Sequence, residues 1–222
     1  MLTKLNPMEP TAKERILKKI RKALTNSTTL PFPNVDNNSS VFHPQKEELE
    51  IIFAEEFTKL QGKFIYCENE FEFINMLDKL IVEQKWSSIF CWEYDLQQLL
   101  TKHQFNKIKI GKGVERAEVG LTLVECLIAR TGTFLLSSKM AAGRSLSVFP
   151  PTHIAVAYTS QLVYDIKDAL NQVALKYEND IPSMLTFATG PSRTADIEKT
   201  LVLGAHGPKE VFLFLIDDSN YV

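Results

Sequence analysis

Small residues and an arginine follow an apolar run near the end of the chain. Residues Thr189–Glu198 read Thr-Gly-Pro-Ser-Arg-Thr-Ala-Asp-Ile-Glu, directly after the apolar run that ends at Ala188. We predict that this segment leaves a strand and enters a helix, whose amino terminus favours negative charge. Arg193 adds a planar donor fork that suits carboxylate or phosphate. The predicted ligand-binding residues of this segment are Gly190, Pro191, Ser192, Arg193 and Thr194.

Asp196 and Glu198 are the carboxylates of the same segment, and two interpretations of them stay open. They can serve as acid and base or bind a hydroxyl group of a ligand, which makes them candidate catalytic residues. They can equally stabilise the predicted helix by complementing its dipole, while Ser192 or Thr194 caps it.

A histidine between two glycines is the second candidate for chemistry. Gly204 and Gly207 flank His206 between two apolar runs, in a pattern that predicts a tight turn with close backbone approach. A histidine there can transfer protons near neutral pH, and it can equally be a surface bystander. We interpret His206 as catalytic and the glycines as ligand-binding. The turn and the Arg193 segment are expected to meet at one rim of the sheet as a pocket for anions.

Composition excludes several functional classes. The formal net charge is -2, which gives no general attraction to nucleic acid or to an anionic membrane. Cys67, Cys91 and Cys126 are far apart in apolar runs and form neither an iron-sulfur nor a zinc pattern. The motifs of serine hydrolases, P-loop nucleotide hydrolases, dinucleotide-binding proteins and zinc peptidases are absent from the sequence. We therefore predict no cofactor and no metal.

The chain has the apolar content for one substantial core. Residues 10–24 predict a basic amphipathic helix, and the Pro-rich residues 25–44 predict a linker. Such a helix can lie on an acidic membrane or bind an acidic partner, but it more commonly docks on its own domain or on another subunit. We therefore divide the chain into an N-terminal helix and linker, 1–44, and an α/β domain, 45–222. No apolar run approaches the roughly 20 residues that cross a bilayer. With no leader sequence, the protein is expected to be cytoplasmic.

Helices and strands alternate after residue 45, which predicts an α/β fold of three layers with a mostly parallel sheet. Arg130, Thr131 and Gly132 separate two apolar runs and predict an antiparallel hairpin between them. The predicted helices are 45–60, 70–83, 94–102 and one that Ser160 caps, and the predicted strands are 63–67, 87–92, 121–129, 133–138, 153–158, 185–188 and 211–216. Lys139 and Arg144 fall in the small, polar loop 137–147.

Four segments resemble the lactate-utilisation (LUD) domain family, in its LutC/YkgG-like branch. They are Ile16–Leu24, Ala129–Thr133, Pro150–Val156 with the following Thr-Ser-Gln, and Gly190–Pro208. Of these, the motifs within Gly190–Pro208 are the most specific, and the resemblance is tightest from about residue 119 to the end.

The resemblance implies a fold similar to ribose-5-phosphate isomerase, glucosamine-phosphate deaminase and CoA transferases, the NagB/RpiA/CoA transferase-like fold. It implies a ligand crevice at the carboxyl ends of the strands. It also implies a part in oxidising L-lactate to pyruvate with iron-sulfur partner proteins. The family commonly has a glutamate where this chain has Arg130, and Glu125 on the preceding strand is the candidate replacement. Thr131 and Gly132 are carried over as ligand-binding residues.

Three hypotheses follow. In the first, the protein is a non-redox component of a lactate-oxidising system that binds a small anionic metabolite or a partner protein, with assembly as a homo-oligomer left open. In the second, it is a stand-alone isomerase or CoA-transferase-like enzyme in which Glu125, Asp196 or Glu198 is base or nucleophile. In the third, it is a scaffold that docks through the basic N-terminal helix. Whether the chain is itself an enzyme stays open at this point.

Overall fold

The computed structural model describes residues 11–25, 44–45, 47–111, 113–142, 144–197 and 200–219. The five helices of this part of the chain are α1 (Ala12–Leu24), α2 (Leu49–Lys59), α3 (Glu70–Gln84), α4 (Tyr94–Lys102) and α5 (Ile166–Tyr177). Its twelve strands are β1 (Lys63–Cys67), β2 (Ile89–Cys91), β3 (Ile108–Lys109), β4 (Val119–Leu123), β5 (Cys126–Ile128), β6 (Thr133–Ser137), β7 (Thr152–Tyr158), β8 (Leu162–Val163), β9 (Leu185–Ala188), β10 (Arg193–Ile197), β11 (Thr200–Leu203) and β12 (Glu210–Ile216).

A six-stranded sheet forms the centre of the α/β unit. Its order is β1-β12-β7-β4-β2-β3, and every neighbouring pair is parallel. The central strands β7 and β12 are almost continuously apolar and buried, as expected for parallel strands that are covered on both faces. The predicted α/β fold with a mostly parallel sheet is confirmed.

Helices α3 and α4 cover one face of the parallel sheet. Phe73 and Leu77 of α3 and Leu100 of α4 are fully buried against strand residues such as Leu121 and Phe214. Asn69 caps α3 by accepting a hydrogen bond from the Glu72 backbone, which fixes where the helix begins. The sequence predicted both helices, and the structure confirms them.

A second sheet and helix α2 cover the other face. This sheet has the order β8-β5-β6-β9, and its inner residues pack with Phe53 and Phe57 of α2 against the parallel sheet. The antiparallel β5–β6 pair is the predicted hairpin and is confirmed. The apolar run 121–129 is not one strand, however, since β4 belongs to the parallel sheet and β5 to the second sheet. Helix α5 packs on the outer side of the second sheet.

Helix α5 begins later than predicted. Asp165 caps it, whereas Ser160 lies in a short 3-10 turn that β8 follows. The expectation that Ser160 caps this helix was wrong because Leu162 and Val163 pair with β5 before the helix starts. A two-residue strand is too short for periodicity to reveal.

Strands β10 and β11 form an antiparallel hairpin where the sequence predicted a helix. The prediction was wrong because the segment is rich in β-branched residues at strand positions, among them Thr194, Ile197, Thr200 and Val202. The anion-binding helix terminus expected after Ser192 therefore does not exist, and another basis for anion binding is needed.

Helix α1 matches the predicted N-terminal helix, and Thr11 caps it. Its apolar side chains, including Ile16 and Ile20, are exposed. Docking of this helix stays a prediction, and the predicted linker lies almost wholly outside the described residues. Among the helices of the described residues, none is long and apolar enough to cross a membrane.

Candidate functional site

A cavity of about 390 Å³ lies where the Arg193 segment meets the turn that holds His206. His153 and Val211 line it, and these residues lie at the starts of β7 and β12. The cavity therefore lies at the amino ends of the parallel strands. The expected crevice at the carboxyl ends is not where these residues meet, because both segments approach the edge at which β12 begins.

Two backbone hydrogen bonds join the predicted segments. The Ser192 N–H donates to the Pro208 carbonyl at 2.9 Å, and the Gly204 N–H donates to the Ser192 carbonyl at 2.9 Å. A Cβ at Gly207 would lie 3.0 Å from the Ser192 Cβ, so the close approach leaves little room for a side chain there. The two segments come together as predicted. The Ser192 N–H donates to a protein carbonyl, however, so it is not available to an anion.

Arg193 is exposed and contacts the end of helix α2. Its Nη2 donates to the Leu60 carbonyl at 2.5 Å. A guanidinium carries five N–H donors, so this contact fixes the side chain without using up its capacity to bind an anion. Gly190, with φ 85°, lies against the same carbonyl, where a Cβ would be 2.8 Å from the Leu60 oxygen. Both residues hold the segment close to α2.

His153 forms a buried part of the cavity lining. Its Nε2 lies 2.9 Å from the Thr122 Oγ1, and its ring meets Phe134 edge to face at 5.5 Å between centroids. Burial lowers the pKa of His153 to about 4, so the imidazole is neutral at neutral pH. A neutral imidazole can exchange hydrogen bonds with a hydroxyl or carbonyl group of a ligand.

A row of threonine hydroxyls positions one wall of the cavity. Thr189 Oγ1 lies 2.9 Å from Thr133 Oγ1, and the Thr131 Oγ1 donates to Thr133 Oγ1 at 2.8 Å. Thr189 lines the cavity, whereas Thr131 supports it from behind. Gly132 lies away from the lining, with φ 55°, and a Cβ there would lie only 2.4 Å from the backbone nitrogen of Phe57. Ligand binding by Thr131 and Gly132 stays a prediction.

Glu125 lies outside the cavity lining, in a cluster that holds helix α5. Lys176 Nζ and Tyr177 Oη donate to its carboxylate at 2.7 and 2.6 Å, and the Ser137 hydroxyl donates as well. Burial tends to raise the pKa of Glu125, but these hydrogen bonds outweigh burial and lower it. A carboxylate held in this way is well suited to anchoring a helix. Its predicted catalytic role stays a prediction.

Arg130 occupies the position where the family resemblance expects a glutamate. Its guanidinium forms two hydrogen bonds with the Asp165 carboxylate, at 3.1 and 2.8 Å. The hydrogen bonds from Arg130 lower the pKa of Asp165. Since Asp165 caps α5, Arg130 helps to fix the start of that helix.

The remaining predicted site residues are placed only in part. Asp196 belongs to β10, but its side chain is outside the described part, and Glu198 lies outside the described residues altogether. Thr194 pairs with Val202 in the hairpin, and Gly204 has φ 74° in the turn that follows β11. Neither Thr194 nor Gly204 is among the described residues that line the cavity.

The charge of the cavity favours an anion. Arg193 and His206 line it, and no carboxylate occurs among its described lining residues. A second cavity, of about 640 Å³, lies at the carboxyl ends of β1 and β12, and its lining includes Glu48, Glu50 and Asp217. That lining repels anions. No group of three or more potential metal ligands occurs among the described residues.

Sequence reasoning missed several residues of the cavity. His153, Phe134, Leu136, Ser147 and Val148 line the cavity, and none of them was predicted as a site residue. The position of His153 at the start of a central strand was a signal. The other four could not be found from the sequence, because tertiary packing brings β6 and the loop before β7 to the cavity.

Comparison with known proteins gives a consistent family. Residues 51–216 match the LUD domain family. The chain is 31% identical over 186 residues to lactate utilization protein C of Shouchella clausii, covering 78% of this chain and 81% of that protein. It is 35% identical to lactate utilization protein C of Bacillus subtilis, over 57% of this chain and 58% of that protein.

A solved structure shows the same fold. A DUF162 family protein from Deinococcus radiodurans superposes with a TM-score of 0.58 and 19% identity, over 76% of this chain and 96% of that one. At this identity the likeness concerns the fold alone. Since the family match covers most of the α/β unit, the chain belongs to the LUD domain family.

Proposed function

We propose that this protein is a non-redox component of a lactate-utilisation system and binds a small carboxylate in the cavity between Arg193 and His206. The names of its relatives support a role in lactate utilisation. The observation that carries the binding proposal is the positive charge of Arg193 in the cavity lining, which includes no carboxylate among the described residues.

The cavity suits a hydroxy or keto acid. A guanidinium pairs with a carboxylate through parallel N–H donors, and Arg193 presents its side chain at the exposed rim. Phe134 and Leu136 supply an apolar wall for a methyl group, and the neutral imidazole of His153 can contact a hydroxyl or carbonyl oxygen. A volume of about 390 Å³ lies within the range of small-molecule sites.

Electron transfer is assigned to iron-sulfur partner proteins. Cys67, Cys91 and Cys126 are buried, and burial raises the pKa of each thiol to about 12. Cluster ligation requires thiolates that converge on one site, which buried thiols at these separate positions do not offer. In this proposal the protein presents the metabolite and a partner accepts the electrons.

Calorimetric titration of the purified protein with L-lactate, pyruvate and acetate tests the proposal. We expect Arg193→Gln to weaken binding of the preferred acid about tenfold, since a charge-assisted hydrogen bond is lost. Arg116→Gln, which removes an exposed arginine elsewhere, is the matched control and should bind as the wild type does. Equal binding by wild type and Arg193→Gln, or no binding of any acid, would contradict the proposal.

A turnover assay separates this proposal from the stand-alone enzyme. The purified protein should bind its acid without converting it or a CoA ester or sugar phosphate. Turnover by the protein alone that disappears in Glu125→Gln would overturn the non-redox component and favour the isomerase or CoA-transferase-like alternative.

A further inference from the structure

A second cluster of positive charge lies apart from the Arg193 cavity. Ser138, Lys139 and Arg144, which follow β6, face Asp180 and Ser183, which precede β9, across a cavity of about 460 Å³. None of these five residues lines the Arg193 cavity. The cluster therefore has no part in the function proposed above.

Hydrogen bonds build this cluster from both loops. The Ser138 N–H donates to the Met184 carbonyl at 3.0 Å, and the Met184 N–H donates to the Ser138 hydroxyl at 3.2 Å. Arg144 Nη2 donates to the Ser183 hydroxyl at 2.6 Å, and that hydroxyl lies 3.2 Å from Ser138 Oγ. The arginine and two hydroxyl groups are thus held together at one point.

The charges of the cluster favour a strong anion. Lys139 and Arg144 are both cations, and Lys139 pairs with Asp180 at 2.5 Å. The Asp180 side chain is 82% exposed, so it can turn into solvent and give up the lysine to a competing anion. A guanidinium has five donors, and its contact with Ser183 uses one of them. Lysine, arginine and serine side chains all donate hydrogen bonds that phosphoryl oxygens can accept.

The second cluster lies at the other end of the β6–β9 ladder. Phe134 pairs with Ala188 beside the Arg193 cavity, and Ser137 pairs with Leu185 beside the cluster. The two pairs are three residues apart, which corresponds to about 10 Å along a strand. The residues of the two sites therefore lie at separate positions along the ladder.

We propose that Ser138, Lys139, Arg144 and Ser183 form a second anion site, which binds a phosphoryl group. NMR titration of the full chain with inorganic phosphate and with pyrophosphate tests this site, with the amide resonances of Ser138, Lys139 and Arg144 as the readout. Both anions should shift these resonances along a saturable curve. Acetate, a monoanion of similar size, should bind with a dissociation constant at least tenfold higher, since it carries about half the charge of phosphate.

Charge variants locate the site. Lys139→Gln and Arg144→Gln should each weaken phosphate binding about tenfold, and Asp180→Asn should strengthen it about threefold because the competing carboxylate is lost. Arg116→Gln and Arg193→Gln should leave it unchanged, which distinguishes this site from the carboxylate site. Binding of acetate as tight as phosphate, an absence of saturable shifts, or equal weakening by Arg116→Gln would overturn the proposal.

Discussion

Two buried ionisable side chains, His153 and Glu93, have pKa values shifted in directions that oppose each other. Burial lowers the pKa of His153 from 6.5 to about 4 and raises the pKa of Glu93 from 4.5 to about 7. Glu93 lies just after β2, where its Oε1 accepts from the Ala142 N–H at 3.2 Å and its Oε2 has no hydrogen-bond partner among the described residues. Each shift favours the neutral form, so each makes stability depend on pH.

His153 should make the folded state less stable in acid. The unfolded chain takes up the proton at pH 6.5, well before the folded chain does at about pH 4, so stability is lost as pH falls through this window. Between about pH 8 and about pH 5, the free energy of unfolding of the wild type should fall by about 2 kcal/mol more than that of His153→Gln. Denaturant unfolding at about pH 8 and about pH 5 measures this difference. His206→Gln, at an exposed position, is the control. Its free energy of unfolding should change with pH as that of the wild type does.

Glu93 should act in the opposite direction. Its folded pKa of about 7 lies above the unfolded value of 4.5, so stability falls as pH rises through this range. Glu93→Gln should therefore stabilise the protein by about 3 kcal/mol at about pH 8 and change little at about pH 4. The same unfolding experiment with Glu83→Gln, an exposed carboxylate of α3, should show no such gain. A Glu93→Gln variant that is less stable than wild type at about pH 8 would contradict the assignment.

The residue types of the segment predicted the side chains that line the site, but they did not predict which backbone N–H groups can donate to a ligand. Arg193 was identified by its planar donor fork and His206 by its place between two glycines, and both residues line one cavity. The Ser192 N–H was assigned to a ligand, whereas it donates to Pro208. Hydrogen bonds between distant backbone segments depend on tertiary contacts, which local sequence does not specify.

At the scale of elements, helix α5 is anchored at both ends. Arg130 pairs with Asp165 at its start, and Lys176 and Tyr177 donate to Glu125 at its end. Together these contacts hold α5 on the outer side of the second sheet, whose β6 strand carries Phe134 and Leu136 into the cavity. Loosening α5 should therefore affect stability first and the site only indirectly.

Glu125→Gln tests whether Glu125 is structural. The substitution keeps the shape of the side chain but removes the charge that Lys176 contacts. The free energy of unfolding should therefore fall by about 2 kcal/mol. Calorimetric binding of the preferred acid should stay within about twofold of wild type. Glu178→Gln, at an exposed position beyond the end of α5, is the control for the loss of one charge. Unchanged stability with abolished binding would instead support a role at the site.

Gly132→Ala tests the contact between the β5–β6 hairpin and α2. Its φ of 55° disfavours a side chain, and a Cβ would lie 2.4 Å from the Phe57 nitrogen. We expect a loss of about 3 kcal/mol in the free energy of unfolding. Gly111→Ala is the matched control, because a Cβ there meets nothing within 4 Å, and it should change stability by less than about 0.5 kcal/mol. Similar losses in both variants would contradict this packing of the hairpin on α2.

Elements with a strong periodic pattern were predicted well. The bounds of β1 and α4 match those expected from the sequence, and α3 extends one residue further than predicted. The failures lie where tertiary pairing decides the structure. Strand β8 is two residues long, which is too short for a periodic pattern. Strands β10 and β11 pair only with each other among the described strands, and their β-branched residues were a signal that the helix prediction overlooked.

For the whole molecule, the important result is which edge of the parallel sheet holds the site. Parallel α/β sheets usually bind ligands at the carboxyl ends of their strands, and the sequence predicted the same here. In this protein the cavity at those ends has acidic residues in its lining, whereas Arg193 and His206 lie at the amino ends. The sequence predicted the α/β class and the mostly parallel sheet correctly, but of the second sheet, with α5 on its outer side, it predicted only the hairpin.

The most direct test of the account is an NMR titration with L-lactate and pyruvate that follows the Arg193 Nε–H and the His206 ring. We predict that both side chains, together with the amides of Thr189, Gly190, Ser192 and Arg193, shift along one saturable curve. In Arg193→Gln, the remaining resonances should report binding that is about tenfold weaker. Shifts that saturate instead at Tyr66 and Thr159, in the carboxyl-end cavity, would contradict the account. An absence of saturable shifts for both acids would contradict it as well.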